Sequence, residues 1–378
     1  MELSETHLML RDSVRKFAKN ELLPRAEKID ANDEFPMDLF KKFAEYGFLA
    51  VTVSEDFGGA GSDALAQLII LEELAKACPA FSLSVATHSN LCLHNIFHNG
   101  NNAQRKKYVP PLCDGSQVGA MAMTEPDHGS DAIGIQTSAK KKDNHYVLNG
   151  SKTFITNAPI ADTFLLYATT DRSKGINAIT AFIIEKGFEG FSVARKLAKM
   201  GIKGSPTGEL ALEDCIVPEE NVLGEENGGF KVMFSGLDIE RIVVAGVALG
   251  AAQGAFDLAL EYSKVRMQFG KPISSFQMIQ QKLADMYTNI EASRLFLYDT
   301  AIRAKNGSRL TKEAAASYLL ASETATKVIL DAVQIFGGYS YMMEYPINRF
   351  YRDAKIMEIG GGTTEIRRII IAKELLRE

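Results

Sequence analysis

Residues 138–150, Ser138-Ala139-Lys140-Lys141-Lys142-Asp143-Asn144-His145-Tyr146-Val147-Leu148-Asn149-Gly150, decide how the chain divides. Asp143 and Asn144 are turn formers whose side chains hydrogen-bond nearby backbone. Tyr146-Val147-Leu148 favours extended backbone, so the stretch predicts two strands around a turn. Outward from it lie a short apolar run, Val118 to Met123, and the strand candidates Thr153–Thr156, Phe164–Thr169, Ile179–Ile184, Phe191–Val193 and Glu209–Leu212. Turn residues separate them and no helical segment intervenes. An antiparallel barrel or sandwich over residues 116–225 is the expected middle domain.

On the N-terminal side, residues 1–115 read as helical. Ser4-Glu5-Thr6-His7 opens an amphipathic helix, with Glu2 and Glu5 in its first turn and Pro24 expected to stop it. Pro36 and Gly47 bracket a helix whose Leu39, Phe40 and Phe43 form one stripe. Asp63 caps a helix through Leu65, Leu68, Leu71 and Leu74, and Phe81 to Phe97 is apolar nearly all round, as in a buried helix. On the C-terminal side, residues 226–378 return to the helical period. Phe230 to Arg266 predicts one very long helix, with Ala and Gly at 245–255 suited to close helix contact. Phe276–Lys305, Lys312–Phe336, Tyr345–Ile359 and a helix from Glu365 follow. The expected class is α+β in three domains, the last a bundle that also packs on other subunits.

The 378 residues carry a net charge of −5, with 46% hydrophobic and 24% charged residues. That balance does not suggest an electrostatic nucleic-acid binder, while leaving room for a local basic patch that holds a phosphate-bearing ligand. No apolar run approaches the ~20 residues of a membrane span. The N-terminus lacks the layout of a secretory or transit segment, so a cytoplasmic protein is expected. Cys78, Cys92, Cys113 and Cys215 form no CxxC. His94 and His98 lie four apart, but no third and fourth metal ligand accompanies them, so no metal is expected. Neither GxGxxG nor GxxxxGK[ST] occurs, which leaves a Rossmann site or a P-loop unsupported.

Chemistry-bearing segments lie elsewhere. Met121-Ala122-Met123-Thr124-Glu125-Pro126-Asp127-His128-Gly129-Ser130-Asp131 is a strand running into a polar loop. Phe154-Ile155-Thr156-Asn157 ends another strand. Arg266-Met267-Gln268-Phe269-Gly270 and Phe276-Gln277 flank a turn expected at Lys271-Pro272. Gln334-Ile335-Phe336-Gly337-Gly338 ends a helix on two glycines. Gly360-Gly361-Gly362-Thr363 interrupts a helical pattern, with Thr364 as the expected cap of the next helix at Glu365. Each alone is accounted for by a strand edge, a bulge, a turn or a helix cap.

Taken in order, with Arg352-Asp353-Ala354-Lys355, these segments resemble the acyl-CoA dehydrogenase family over essentially the whole chain. The resemblance implies an N-terminal helical domain, a middle β-barrel and a C-terminal four-helix bundle. It also implies FAD, an acyl-CoA substrate, a homotetramer, and electron-transfer flavoprotein as electron acceptor. The flavin would then lie against Met121, Met123, Thr124, Gly129, Ser130, Phe154, Ile155 and Thr156. Arg266, Phe269 and Gln277 would reach FAD across a subunit interface. Gln334, Phe336, Gly337 and Gly338 would meet its adenine and ribose end, and Thr363, Thr364 and Glu365 would close the site. Ser130 would also touch the pantetheine arm. Two departures stand out: Phe154 where many relatives carry Trp, and His128, expected to face solvent, where relatives usually have Ala.

The implied reaction removes an α-proton from the thioester and passes the β-hydride to flavin N5. It needs a carboxylate base in an apolar pocket and fixed donors on the thioester carbonyl. Many straight-chain relatives carry the base in the glycine loop, preceded by Tyr; those positions here are Gly360 and Gly361. Glu240, in Leu237-Asp238-Ile239-Glu240-Arg241, is the alternative. On a helix Asp238 and Arg241 fall within about 60° of one another, with Glu240 about 100° from Arg241. The isovaleryl-CoA dehydrogenase branch resembles this arrangement. It implies Glu240 as base, Asp238, Arg241 and Ser130 on the CoA arm, and Gly360, Gly361 and Gly362 along the acyl thioester. A short branched acyl group, isovaleryl first, is expected; cyclohexanecarboxyl-CoA, a butyryl-type ester, or a same-fold flavin oxidase or monooxygenase remain open.

Overall fold

The computed structural model of the protein describes residues 3–305 and 309–377. Glu2 lies outside the described residues. Ser4 caps α1 (Glu5–Phe17) by accepting from the His7 N–H. Pro24 does not end the helical path. The chain passes through a wide turn at Ala18–Leu22 and a tight one at Leu23–Arg25 into α2 (Ala26–Asn32). Pro24 sits in the first turn of the tight segment, where its missing N–H costs nothing. Next come α3 (Met37–Glu45), α4 (Ala64–Ala77), α5 (Pro79–Ala86), α6 (Asn95–Asn99) and α7 (Asn102–Cys113). Asp63 caps α4 through the Ala66 N–H.

The middle region holds β1 (Gly119–Ala122), β2 (Ser138–Lys142), β3 (His145–Thr156), β4 (Thr163–Thr169), β5 (Ile179–Glu185), β6 (Phe191–Lys196), β7 (Thr207–Pro218) and β8 (Val222–Leu223). The hairpin at 138–150 forms as expected, with Ser138 opposite Asn149 and Asp143 in the left-handed region. The strands run in the order β6-β7-β3-β2-β4-β5-β8, with β1 on β4. Among the described residues no ladder joins β6 to β8, so the order keeps two ends where a barrel was expected. The sheet is also not purely antiparallel: β1 runs parallel to β4, and Ser138 of β2 makes one parallel bridge to Thr169.

Helix α8 (Gly229–Val265) is the 37-residue element expected from the sequence. Its glycines let it lie on α4. A Cβ on Gly250 would stand 2.2 Å from the Glu72 carbonyl oxygen, and one on Gly246 2.8 Å from that of Leu68. One 18-residue window of α8 reaches a mean hydropathy of 1.7, in the range of a membrane span, contrary to the sequence expectation. In the fold, 78% of that window is buried inside the protein, as befits a core helix. Helices α9 (Gln277–Ala304), α10 (Thr311–Phe336), α11 (Ile347–Ala354), α12 (Ile356–Ile359) and α13 (Thr364–Leu375) complete the bundle, with α10 against α8, α9 and α13. Between α8 and α9, β9 (Met267–Gln268) and β10 (Lys271–Pro272) form a tiny hairpin. Its turn is Phe269-Gly270, both with positive φ, rather than Lys271-Pro272. Thr363, one residue earlier than expected, caps α13 by accepting from the Ile366 N–H.

Candidate active site

Glu240 lies on α8, about three turns past its start, and is 9% exposed. No hydrogen bond or ion pair to its carboxylate is present among the described residues. Burial pushes its pKa up to about 7, and the neighbouring Arg241 only partly offsets that. Tyr167, from β4, and Tyr318, from α10, both feel the Glu240 charge. Arg241 turns away from Glu240: its Nη1 stands 3.4 Å from Asp238 Oδ1, and Asp238 Oδ2 accepts from Thr311 Oγ1 at 2.8 Å. One helix thus pairs Asp238 with Arg241 on one side and leaves the Glu240 carboxylate unpaired on another.

The glycine loop sits beside this helix. Gly361 and Gly362 have φ of 66° and 87°, a region that favours glycine. A Cβ on Gly361 would stand 3.0 Å from Tyr318 Cε1, whereas one on Gly360 would meet only Ile356. The Gly360 carbonyl accepts from Tyr318 Oη at 3.1 Å and from Arg367 Nη2 at 2.7 Å. The Arg367 guanidinium stacks on the Tyr318 ring, 3.4 Å from its centroid, and is wholly buried.

The sheet supplies a second group. Thr124 follows β1, and its carbonyl accepts from the Thr153 N–H at 2.9 Å, which brings Met121, Met123 and Thr124 beside Phe154, Ile155 and Thr156. A bulge between Lys152 and Ile155 gives Phe154 a φ of 59° and leaves its ring 68% exposed. Under the loop lies a buried pair: Lys152 Nζ donates to Glu125 Oε1 at 2.7 Å and to the Met123 carbonyl at 3.1 Å. Glu125 also accepts from the N–H groups of Gln136 and Thr137. Burial works against the Glu125 charge, but Lys152 and these donors hold its pKa below the ordinary value. Gly129 and Ser130 are exposed on the loop so anchored. His128 is only part-exposed, with Nδ1 3.7 Å from Asp131, so it does not simply face solvent.

A third group lies at the far end of the bundle. Phe269 is 91% exposed at the tip of its hairpin, Arg266 lies over the Tyr339 ring, and Phe336 stacks on Tyr262. Cβ atoms on Gly337 and Gly338 would meet nothing within 4 Å, so the backbone after Gln334 is open to a ligand. Gln277 opens α9 beside this hairpin. Thr364 and Glu365 begin α13, on the bundle side of the glycine loop.

Residues 4–116, 120–215 and 227–376 match, in turn, the N-terminal, middle and C-terminal domains of acyl-CoA dehydrogenase. The chain belongs to the acyl-CoA dehydrogenase family. It is 47% identical over 376 residues to the mitochondrial isovaleryl-CoA dehydrogenase of Arabidopsis thaliana, covering 99% of this chain and 92% of that one. The butyryl-CoA dehydrogenase of Megasphaera elsdenii superposes with a TM-score of 0.97 at 42% identity, over 100% of both chains. An FAD complex of PigA superposes at 0.96 with 33% identity, again over 100% of both. This acyl-CoA dehydrogenase is therefore an FAD-dependent oxidoreductase. Its own surface fits that cofactor: an exposed aromatic ring at Phe154 and an open diglycine backbone at 337–338 suit a planar ring system and a phosphate-bearing chain. Among the described residues no cluster of three metal-ligating side chains occurs. Sequence reading missed Tyr318, Arg367, Tyr167 and the Lys152–Glu125 pair. Only an arginine within the α13 pattern hinted at any of them.

Proposed function

We propose that this dehydrogenase oxidises a short branched acyl-CoA, isovaleryl-CoA first, to its 2-enoyl ester, with Glu240 as the base. The observation that carries the proposal is the unpaired, buried Glu240 carboxylate beside a glycine loop that has no carboxylate of its own. A base near neutrality matches the task of holding a proton taken from carbon. Asp238, Arg241 and Ser130 hold the CoA arm. The N–H of Gly361 donates to the thioester carbonyl, which acidifies the α-carbon, and Glu240 then takes the α-proton. Bound FAD supplies the acceptor for the β-hydride. Gly360, Gly361 and Gly362 line the acyl thioester, and Gly360, with no side chain where many relatives carry Tyr, leaves room for a branch at the β-carbon.

Met121, Met123, Thr124, Gly129, Ser130, Phe154, Ile155 and Thr156 would hold FAD from one protomer. Gln334, Phe336, Gly337, Gly338, Thr363, Thr364 and Glu365 would contact its remaining length. Arg266 lies about 39 Å along α8 from Glu240, at a rise of about 1.5 Å per residue. That separation supports Arg266, Phe269 and Gln277 acting on a neighbouring protomer's FAD, in a homotetramer. Electron-transfer flavoprotein is the proposed electron acceptor, on family resemblance.

The test is anaerobic flavin reduction with straight, branched and cyclic acyl-CoA esters, in the parent and in Glu240→Gln. The parent should be reduced fastest by isovaleryl-CoA. The variant should keep FAD and ester binding yet lose reduction; full-rate bleaching of its flavin would overturn the base assignment. Fastest reduction by butyryl-CoA would favour the straight-chain reading, in line with the Megasphaera relative's name.

A further inference from the structure

We infer that Tyr318 and Arg367 are positioning residues that aim and strengthen the Gly361 N–H through the carbonyl of Gly360. The inference rests on the proposed role of that N–H as donor to the thioester. Gly360 C=O and Gly361 N–H belong to one peptide group, which is planar and trans, so fixing the direction of the carbonyl fixes the N–H on the opposite side. Two donors fix it: Tyr318 Oη at 3.1 Å and Arg367 Nη2 at 2.7 Å.

Those donors are themselves held. Arg367 Nη1 donates to Ser322 Oγ at 2.9 Å and Nη2 to the Met357 carbonyl at 2.9 Å, and the guanidinium lies 3.4 Å from the Tyr318 ring centroid. Both side chains are buried, with Arg367 at 0% and Tyr318 at 1% exposure. A flexible triglycine would otherwise let the peptide rotate. Among the described residues no acceptor takes the Gly361 N–H, and Gly361 is exposed, so its donor is available to a ligand. The second effect is electronic. A carbonyl that accepts from a cation polarises its own peptide, and the N–H across it becomes a stronger donor. Tyr318 and Arg367 therefore act on the substrate without touching it. Their contribution appears in the acidity of the α-carbon rather than in ester affinity.

The experiment uses the FAD-loaded enzyme and 3-methylbut-2-enoyl-CoA carrying 13C at the thioester carbonyl. Difference infrared or Raman spectra report how far the bound carbonyl stretch falls below its value in water. Tyr318→Phe keeps the ring and removes one donor; Arg367→Met removes the charge; Arg367→Lys tests rescue. We expect the downshift to shrink in Tyr318→Phe and more in Arg367→Met, with partial return in Arg367→Lys. Flavin reduction should slow about 10-fold in Tyr318→Phe and up to about 100-fold in Arg367→Met. Ester dissociation constants should change less than about 3-fold. A parent downshift that persists unchanged in folded, FAD-loaded Tyr318→Phe and Arg367→Met would overturn the inference alone. No downshift in the parent would overturn the N–H reading beneath it. Retained flavin reduction in Glu240→Gln would instead overturn the base and leave this inference standing. Should Arg367→Met not fold, Tyr318→Phe decides the matter.

Discussion

Tyr318 lies against Gly361 so closely that a Cβ there would stand 3.0 Å from Tyr318 Cε1. Gly361 also has a φ of 66°, where an L side chain is strained. The loop is thus built for glycine at the place where other branches of the family carry their base. Moving the carboxylate back, as Gly361→Glu in a Glu240→Gly background, should recover only a small part of the flavin reduction. The strain should also lower stability by about 1–3 kcal/mol. Stopped-flow reduction and thermal melts check both; full recovery at unchanged melting temperature would contradict the geometry.

The rate of flavin reduction should follow the ionised fraction of Glu240. With its pKa near 7, kcat/KM should rise with pH through about 7 and level off above it. Glu240→Asp should keep the rise but lower the plateau, because the shorter side chain holds the base farther from the α-carbon. A flat profile between pH 5.5 and 8.5 would remove Glu240 from the proton transfer.

Stability should run the other way. The folded pKa of Glu240, about 7, lies above its unfolded value of about 4.5, so the folded state binds more protons between those limits. Stability is therefore lost as pH rises from about 4.5 to about 7. Glu240→Gln should melt higher than the parent at pH 8, by up to about 3 kcal/mol of unfolding free energy, and the gap should close toward pH 4.5. Equal melting curves at pH 8 would show that the burial cost is relaxed elsewhere.

Lys152 at 0% exposure and Glu125 beneath the loop proposed to face the flavin form a pair that tolerates no partial removal. Burial lowers the Lys152 pKa to about 8 even with Glu125 beside it. Lys152→Met strands a buried carboxylate and should cost about 3–5 kcal/mol. It should also loosen FAD, since the Met123 carbonyl and the loop bearing Ser130 lose their anchor. Lys152→Met with Glu125→Leu should restore stability more than it restores FAD retention. Chemical denaturation and flavin content separate the two; equal recovery of both would mean the pair does not order the loop.

Much of this architecture was legible in the chain. The Asp143-Asn144 turn, the Ser4 and Asp63 caps and the span of α8 all follow from local rules, because caps, turns and periodicity act over a few residues. Glu240 stood out through the resemblance to the isovaleryl-CoA dehydrogenase branch and the empty glycine loop, while the helix set its spacing from Asp238 and Arg241. Local errors were also instructive. Pro24 fits a tight turn as well as a stop, and Phe269-Gly270 took the turn because the hairpin twist favours two positive φ values.

The sequence by itself determined the order of helices, strands and helices, the family, and the empty glycine loop. Only the tertiary structure decided that Arg367 is a core residue stacked on Tyr318, since an arginine in an amphipathic pattern reads as surface. It also decided that Lys152 is buried, that a bulge turns Phe154 outward, and that Glu240 is left without a partner. Each of these depends on which elements meet across more than 25 residues of chain. Burial and pairing are properties of that meeting, and so is the pKa they set.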